Sequence, residues 1–181
     1  MSALQSIPVN RIDGSADTLG AHKGKVLLVV NVASKCGLTP QYTGLEKLYE
    51  DKRAAGLEVL GFPANNFGAQ EPGTNAEIAD FCSSTYDVKF PMFSKISVVG
   101  DDKHALYKEL TAAQPNATGD GSMRDRLKNY GMNPNPVPEV VWNFEKFLIN
   151  RNGDVVGRFA PDVAPDDPRL VSAIDAELAK K

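Results

Sequence analysis

The chain has 181 residues, of which 42% are hydrophobic and 24% charged, and its formal net charge is −3. This size and balance predict one globular domain over residues 1–181 and argue against a chain that is disordered throughout. The slight acidic excess, without any cluster of Lys or Arg, disfavours nucleic-acid binding, and the longest aliphatic run, residues 26–30, is far shorter than the ~20 residues that cross a bilayer.

The beginning of the chain predicts a lead-in followed by a buried strand. Residues 1–24 are expected to be irregular or to form a short hairpin. The first eight positions contain no basic segment followed by an apolar stretch, so no secretory signal is expected. Residues 26–32 form a continuous β-branched and aliphatic run, which is typical of a strand covered on both faces.

A helix and a second strand come next. Thr39 and Pro40 predict the N-cap and the first residue of the helix, and Gly56 marks its end. Residues 57–62 (LEVLGF) predict a second strand, which Pro63 ends. A strand, a helix and a strand in this order predict a parallel pair joined by a right-handed crossover.

The middle of the chain begins with a loop over residues 64–73 that is rich in Asn, Gly and Gln. Residues 74–77 read Thr-Asn-Ala-Glu, a capping box that predicts the start of a helix. One face of this helix is expected to hold Ile78, Phe81, Cys82 and Thr85. Residues 89–99 are expected to form a strand interrupted at Pro91.

The region after this strand is less regular. Asp101 or Asp102 is expected to cap a helix that runs through residues 106–110. Residues 112–139 contain several prolines and glycines, and a short helix is expected near residues 124–130. The segment is interpreted as an ordered excursion or a partner contact and not as a linker between domains.

The end of the chain predicts two strands and a helix. Residues 144–149 and 155–159 are expected to pair as a hairpin through Asn152-Gly153, and Asp166-Asp167-Pro168 is expected to open the last helix. The order of elements predicts an α/β, thioredoxin-like fold. Its central mixed sheet would be flanked by helices, with an insertion between the two halves.

The sequence has two cysteines, Cys36 and Cys82, and two histidines, His22 and His104. No Cys-x-x-Cys pair is present, and the histidines are distant from the cysteines in sequence, so neither a disulfide scaffold nor a zinc site is expected. Few thiols and no framework of bridges are typical of a reducing compartment, and a cytoplasmic location is expected.

Cys36 is the candidate reactive group. It follows a buried strand and precedes a helix, where the helix N-terminus and the neighbouring Lys35 favour a thiolate. Disulfide exchange, acyl transfer, peroxide reduction and an inert buried cysteine all remain open on this evidence. A hydrolase needs a general base, and neither histidine lies near a motif. Peroxide reduction needs only the thiolate and neutral N–H donors around it.

Three stretches of sequence together resemble the glutathione peroxidase family. They are residues 31–39 (NVASKCGLT), 61–73 (GFPANNFGAQEPG) and 142–148 (WNFEKFL). The similarity extends from about residue 6 to the C-terminus. Because position 36 is an ordinary cysteine, the resemblance is to the non-selenium branch of the family. It implies a peroxidase that reduces hydrogen peroxide and small organic hydroperoxides and contains no metal or organic cofactor.

The resemblance also implies roles for individual residues. Cys36 would be the peroxidatic cysteine, with Gln70, Trp142 and Asn143 as the remaining members of a catalytic tetrad that donates N–H groups. Cys82 would be the resolving cysteine that forms a disulfide with Cys36, whereas its position on an apolar helix face, taken without the resemblance, favours a buried core residue. A disulfide requires Cα atoms within roughly 4.4–6.8 Å, and a cysteine held in a regular helix near the edge of the sheet is expected to lie too far from Cys36 for that. We therefore expect the helix around Cys82 to unwind locally on oxidation.

Thioredoxin is the expected electron donor, with glutathione the weaker alternative. Basic residues that could hold the glutathione carboxylates are Lys35, Lys89 and Arg124. The excursion over residues 111–140 is longer than in the shortest thioredoxin-dependent members, and could narrow the pocket against bulky lipid peroxides. It also leaves monomer and oligomer both open. Two other functions stay in view: a redox relay that passes a disulfide to a partner protein, and a thioredoxin-fold binding module with unreactive thiols.

Overall fold

The computed structural model describes residues 3–180. Residues 1, 2 and 181, which include the start of the expected lead-in and both ends of the expected domain, lie outside the described residues. Between residues 3 and 180, no helix is long and apolar enough to cross a membrane.

The lead-in contains a short helix, α1 (Ala3–Ser6), and two short strands, β1 (Pro8–Asn10) and β2 (Ala16–Thr18). The strands pair antiparallel, so the expected short hairpin is confirmed.

The first strand–helix–strand unit is also confirmed. Strand β3 (Val26–Val32) is buried at every position and pairs in parallel with β4 (Leu57–Pro63). Helix α2 (Gln41–Lys52) connects them, and Gly56 ends the connection with a φ of +113°, a conformation that favours glycine. The expected cap at Thr39 is wrong: the helix begins at Gln41, because the Thr39 hydroxyl is used inside the preceding turn.

Helix α3 (Asn75–Tyr86) begins with the predicted capping box, in which Thr74 and Glu77 bond each other's backbone N–H. Ile78 and Cys82 are buried on its inner face, as expected. Thr85 is exposed and does not share that face. It lies on the solvent side of the last turn, and the helix stops two residues later at Asp87, which has a left-handed conformation.

Residues 89–99 do not form the expected strand. Only isolated bridges occur there, Gly61 with Met92 and Arg11 with Phe93. Gly61 donates to the Pro91 carbonyl and accepts from the Phe93 N–H, so the segment follows the edge of β4 for a short distance. It then bonds elsewhere, with Ser94 donating to Asn10. Regular pairing fails because the segment divides its backbone hydrogen bonds between β4 and the lead-in.

Helix α4 (Ala105–Ala113) is present, but its cap is His104 and neither expected aspartate. The His104 Nδ1 accepts from the Leu106 N–H at 3.0 Å. Asp102 instead accepts from the Ser97 hydroxyl at 2.8 Å and therefore stabilises the preceding turn.

The excursion contains the expected short helix, α5 (Asp120–Asn129), which begins four residues earlier than predicted. The two ends of the excursion are held by Arg158, which donates to the backbone carbonyls of Gln114, Pro115 and Pro138 at 3.0, 3.2 and 2.8 Å. The same guanidinium is paired with the buried carboxylate of Glu145. One buried cation thus ties both ends of the excursion to the sheet.

The remaining elements complete the sheet. Strand β5 (Lys146–Ile149) pairs antiparallel with β3 and with β6 (Val155–Phe159), which gives the order β4-β3-β5-β6, and the last helix is α6 (Pro168–Leu178). The hairpin and the Asp167 cap of α6 are as expected, but β5 begins two residues later than predicted because Phe144 has a left-handed φ of +70°. Apolar clusters cover both faces of the sheet. The fold is the predicted thioredoxin-like α/β arrangement, and it brings the end of β3 and the start of α2 together.

Candidate active site

Cys36 lies in the turn between β3 and α2 and is 9% exposed. Its Sγ accepts from the Leu38 N–H at 3.3 Å. Its own N–H donates to the Thr39 hydroxyl at 2.9 Å, and that hydroxyl donates to the Ala33 carbonyl at 2.8 Å. The turn therefore holds the sulfur at the start of α2 and directs a backbone N–H at it, an arrangement that stabilises negative charge on sulfur.

The sulfur opens on a cavity of about 250 Å³. Gln70 and Trp142 line this cavity together with Cys36, as the sequence motifs predict. The remaining wall comes from the turn and from the excursion: Gly37, Leu38, Met123, Arg126, Leu127, Tyr130 and Met132. The three remote motifs of the sequence therefore meet at one sulfur-lined cavity.

Asn143 does not line the cavity but bonds a residue that does. It is fully buried, and its Nδ2 donates to the Gln70 Oε1 at 2.9 Å. Because the carbonyl end of the Gln70 side chain is occupied in this way, the amide nitrogen is the end left to donate. Asn143 thus orients Gln70, and the Gln70 amide and the Trp142 ring both lie on the cavity wall.

Asn31 positions the segment that carries Trp142 and Asn143. This buried residue of β3 donates from its side-chain Nδ2 to the Trp142 backbone carbonyl at 3.0 Å. Its backbone carbonyl accepts from the Phe144 N–H at 2.6 Å. The backbone on both sides of Asn143 is therefore fixed to the central strand. Asn31 has no predicted role of its own, although an amide within an otherwise aliphatic strand is a signal that could identify it.

The loop that carries Gln70 is bonded to the Cys36 turn. The Lys35 backbone N–H donates to the Gln70 backbone carbonyl at 3.0 Å, and the Ser34 backbone N–H donates to the Glu71 carboxylate at 3.2 Å. Glu71 is 1% exposed, and burial raises the pKa of its carboxyl. Sequence reasoning gave Glu71 no separate role, because a carboxylate in a polar loop carries no local sign that it is buried.

The backbone is strained on both sides of the Gln70–Asn143 pair. Ala69 has a φ of +51° and Phe144 a φ of +70°, values that residues other than glycine rarely adopt. Gly68 has a φ of +67°, and a Cβ there would lie 3.4 Å from both the Gln70 amide nitrogen and the Trp142 ring. Residues held in this way beside candidate donors are typical of pre-organised sites.

Cys82 is outside the Cys36 cavity. It is 2% exposed in the apolar cluster on one face of the sheet, and both cysteines are free thiols. Burial raises the pKa of the Cys82 thiol to about 11, and the neighbouring Tyr42 hydroxyl offsets this only in part. In this conformation Cys82 is a protonated core residue.

The basic residues considered for glutathione do not gather around Cys36. Lys89 is paired with Glu50 and Asp87, Arg124 is paired with Asp120, and Lys35 lines a separate cavity beside Glu71. Arg126, which was not considered, lines the Cys36 cavity.

Neither histidine lies in this cavity. His104 caps α4, and His22 is held beside Asp17 and Glu58 in the lead-in. Within the described part of the chain, no cluster of His, Cys, Asp and Glu could hold a metal ion. A larger cavity, of about 600 Å³, lies between α2 and α6, and no thiol lines it.

Comparison with known proteins gives consistent matches. The sequence model of the family described as glutathione peroxidase matches residues 4–111. The chain is 48% identical to the thioredoxin/glutathione peroxidase BtuE of Escherichia coli, with 95% of each chain covered. It is 43% identical to the hydroperoxy fatty acid reductase gpx1 of Synechocystis, with 92% of this chain and 91% of that protein covered.

Solved structures agree with these matches. A crystal structure titled Trgpx in apo form is 34% identical, has a TM-score of 0.73, and is covered over 98% of its length by 99% of this chain. A peroxiredoxin Q from Xanthomonas campestris has a TM-score of 0.60 at 19% identity, with 97% of this chain and 94% of that chain covered, and is similar in fold alone.

Proposed function

This chain belongs to the glutathione peroxidase family and is a peroxidase, and we propose that it reduces hydrogen peroxide and small organic hydroperoxides at Cys36. The observation that carries the proposal is the common cavity of Cys36, Gln70 and Trp142, with a backbone N–H directed at the sulfur. Members of the family use thiol electron donors and no prosthetic group. The reaction therefore depends on the two cysteines and on the groups around them.

In the first step the Cys36 thiolate attacks the terminal oxygen of the hydroperoxide. The S–O bond forms, the O–O bond breaks, and the departing alkoxide takes up a proton to leave as an alcohol or as water. Cys36 becomes a sulfenic acid, oxidised by two electrons, and the peroxide is reduced by two. Gln70 and Trp142 donate hydrogen bonds to the charge that develops on the departing oxygen, and Asn143 holds Gln70 in position.

In the second step Cys82 attacks the sulfenic acid. The S–S bond forms, the S–O bond breaks, and water leaves with the proton from the Cys82 thiol. A thiol with a pKa of about 11, 2% exposed within α3, is a poor nucleophile until it leaves the core. The helix around Cys82 therefore unwinds locally during resolution. A Cys36–Cys82 disulfide found with α3 fully intact would overturn this step.

Thioredoxin is the proposed reductant of that disulfide. One relative is named a thioredoxin/glutathione peroxidase. Arg126 lines the Cys36 cavity, but Lys89 and Arg124 are paired elsewhere and Lys35 lines another cavity, so the described residues do not gather several cations around Cys36 for the carboxylates of glutathione. Two free thiols suit a reducing compartment, so we propose a cytoplasmic location.

A thiol count after stoichiometric oxidation tests the proposal. The reduced protein is treated with one equivalent of hydrogen peroxide, its free thiols are counted, and any bridge is mapped by mass spectrometry of the digest. We expect both thiols to be lost in one intramolecular disulfide. Persistent sulfenic acid at Cys36 with Cys82 free would favour glutathione, and a Cys36 that does not react would overturn the peroxidase mechanism.

Turnover separates the enzyme from a redox relay. Steady consumption of peroxide with thioredoxin, thioredoxin reductase and NADPH is the expected result. Very slow turnover together with rapid oxidation of a partner protein would instead support the relay.

A further inference from the structure

The end of α3 is bonded to α2 through one buried carboxylate. Glu46, in the second turn of α2, is 6% exposed, and its Oε1 accepts from the backbone N–H groups of Lys89 and Phe90 at 2.8 and 3.4 Å. We call this set of contacts the Glu46 clamp. It attaches the segment that follows α3 to the helix whose N-terminal end lies beside Cys36.

The clamp directly follows the hydrogen bonds that end α3 at Cys82. The Cys82 carbonyl accepts from the Val88 N–H at 3.1 Å, and the Asp87 N–H donates within the same turn. Four consecutive N–H groups, those of residues 87–90, are therefore divided between the end of α3 and the Glu46 carboxylate. Moving Cys82 out of the core breaks its bond to Val88, which is the residue next to the clamp.

Aromatic side chains reinforce the attachment to α2. Tyr42 of α2 packs against Tyr86 and Phe90 with the ring centroids 5.4 and 6.4 Å apart, and Tyr49 packs against Phe90 at 6.1 Å. Residues 83–89, in contrast, contain no buried side chain of their own. Segments with few buried contacts open at low cost once their remaining attachments are released. The last turn of α3 therefore depends on its attachment to α2.

The first turn of α3 is held separately. The capping box closes this end of the helix, and the Lys95 ammonium donates to the backbone carbonyls of Glu71 and Gly73 in the loop before it. The same loop carries Gln70, which lines the Cys36 cavity. Opening α3 from its first turn would therefore disturb Gln70, whereas opening it from its last turn leaves this loop bonded.

Glu46 lies in an unfavourable place for a carboxylate. The nearby Lys89 ammonium pairs with Glu50 and Asp87 and not with Glu46. Burial and the neighbouring Glu50 raise the pKa of the Glu46 carboxyl, and its two N–H bonds offset this only in part. A buried carboxylate destabilises a fold unless it is hydrogen-bonded, so packing alone would favour an apolar residue here. The clamp is the contact that accounts for a glutamate at this position.

We propose that Glu46 is a positioning residue for the second step: release of its clamp opens the last turn of α3 and frees Cys82, while the first turn stays bonded. This inference rests on the proposed function and deepens it, because it names the contact that controls resolution. The chemical step is unchanged: the S–S bond forms, the S–O bond of the sulfenic acid breaks, and water leaves with the Cys82 proton. Glu46 takes part in no covalent change and acts through the backbone of Lys89 and Phe90.

Alkylation of the reduced protein tests the clamp without any peroxide. In Cys36→Ser, Cys82 is the only thiol, and its labelling by iodoacetamide at fixed pH measures the opening of α3. Adding Glu46→Ala should accelerate labelling about tenfold, because hydrogen bonds to a charged group are lost. Glu46→Gln keeps an acceptor oxygen and should label at an intermediate rate. Glu77→Ala removes a carboxylate that bonds the opposite end of the same helix and should leave the rate unchanged. Equal acceleration by Glu46→Ala and Glu77→Ala would overturn the proposal.

Single-turnover oxidation separates the two chemical steps. Trp142 is the only tryptophan of the chain and lines the Cys36 cavity, so its fluorescence reports oxidation of Cys36 in stopped flow, and acid quenching followed by a thiol count reports the disulfide. With Cys36 and Cys82 both present, Glu46→Ala should form the disulfide about tenfold faster and leave the rate constant of the first oxidation unchanged. An unchanged disulfide rate, or an equal change in both steps, would contradict the assignment. Failure of Cys36 to react with peroxide would overturn the proposed function, while the alkylation rates would still decide whether the clamp exists.

Amide hydrogen exchange of the unmodified protein gives an independent answer if Glu46→Ala does not fold. In the disulfide form, the N–H groups of Lys89 and Phe90 should lose their protection. The Ile78 N–H, which donates to the Thr74 carbonyl at 2.9 Å in the first turn, should keep its protection. Protection retained at Lys89 and Phe90 would show that resolution does not need release of the clamp. Loss of protection at Ile78 as well would show that the whole helix opens, which would also overturn the proposal.

Discussion

The two cysteines lie in regions that are built differently. Cys36 lies in a turn where a backbone N–H bonds its sulfur and hydrogen bonds fix the neighbouring loops to β3. Cys82 lies within α3, where apolar burial raises the pKa of its thiol to about 11. Both side chains belong to the same apolar cluster, yet a backbone N–H bonds the Cys36 sulfur while burial raises the pKa of the Cys82 thiol. Two buried thiols of one core can therefore differ in the hydrogen-bond donors that accompany them.

Removal of each sulfur in turn gives the largest expected contrast. Cys36→Ser should reduce peroxide turnover to the uncatalysed rate, because the attacking atom is lost. Cys82→Ser should leave the first oxidation intact and block recycling by thioredoxin. The measurements are stopped-flow fluorescence for oxidation and NADPH consumption for recycling. Full thioredoxin-dependent turnover by Cys82→Ser would break the assignment of the two roles.

Loss of a donor at the Cys36 cavity should have the next largest effect. Gln70→Ala removes an N–H donor, and we expect the rate constant for oxidation of Cys36 to fall about 10²–10³-fold, as for the loss of one donor in other pre-organised sites. Gln114→Ala makes the same change away from the cavity and should not alter the rate. An equal rate in the two variants would show that Gln70 does not stabilise the reacting oxygen.

The pH dependence of alkylation tests the environment of Cys82 directly. The Cys82 pKa is raised from 9.0 to about 11, so its thiolate fraction at pH 7 is lowered about a hundredfold, and its alkylation should accelerate as the pH rises toward 11. Iodoacetamide labelling of Cys36→Ser, in which Cys82 is the only thiol, measures this. A labelling profile with an ordinary thiol pKa would mean that α3 opens readily even in the reduced protein.

The smallest effect is expected at the positioning residue in β3. Asn31→Ala leaves the Trp142 carbonyl without its buried donor, and we expect a loss of about 1–3 kcal/mol in the free energy of unfolding. Oxidation of Cys36 should slow as well, because Trp142 and Asn143 lose their anchor. Urea denaturation gives the stability, and the exposed Asn116→Ala is the control. A variant as stable and reactive as the control would show that β3 does not hold this segment.

The parts of the fold that depend on local patterns were predicted closely. The aliphatic run of β3, the capping box at Thr74 and the Asn152-Gly153 hairpin each contain their own signal. Residues 89–99 were predicted wrongly, because their hydrogen bonds go to two separate parts of the chain. The predicted cap of α4 is also wrong, because Asp102 accepts from the Ser97 hydroxyl and His104 accepts from the first turn of the helix instead. Long-range competition of this kind leaves no mark on a short stretch of sequence.

The site shows the same division. The motifs identified Cys36, Gln70 and Trp142, which line one cavity. The contacts that support them come from Asn31 and Glu71, whose partners lie far away in sequence. No local pattern predicts such contacts, because they exist only once β3 and the two loops have been brought together.

The attachment of the excursion to Arg158 has a consequence for how this protein can be redesigned. A single side chain bonds the segment where it leaves α4 and again where it approaches Trp142, so the ends of the excursion are held independently of the residues between them. A shorter or longer excursion, with the Arg158–Glu145 pair kept, would change the part of the Cys36 cavity wall that this segment forms while Cys36, Gln70 and Trp142 stay on their own elements.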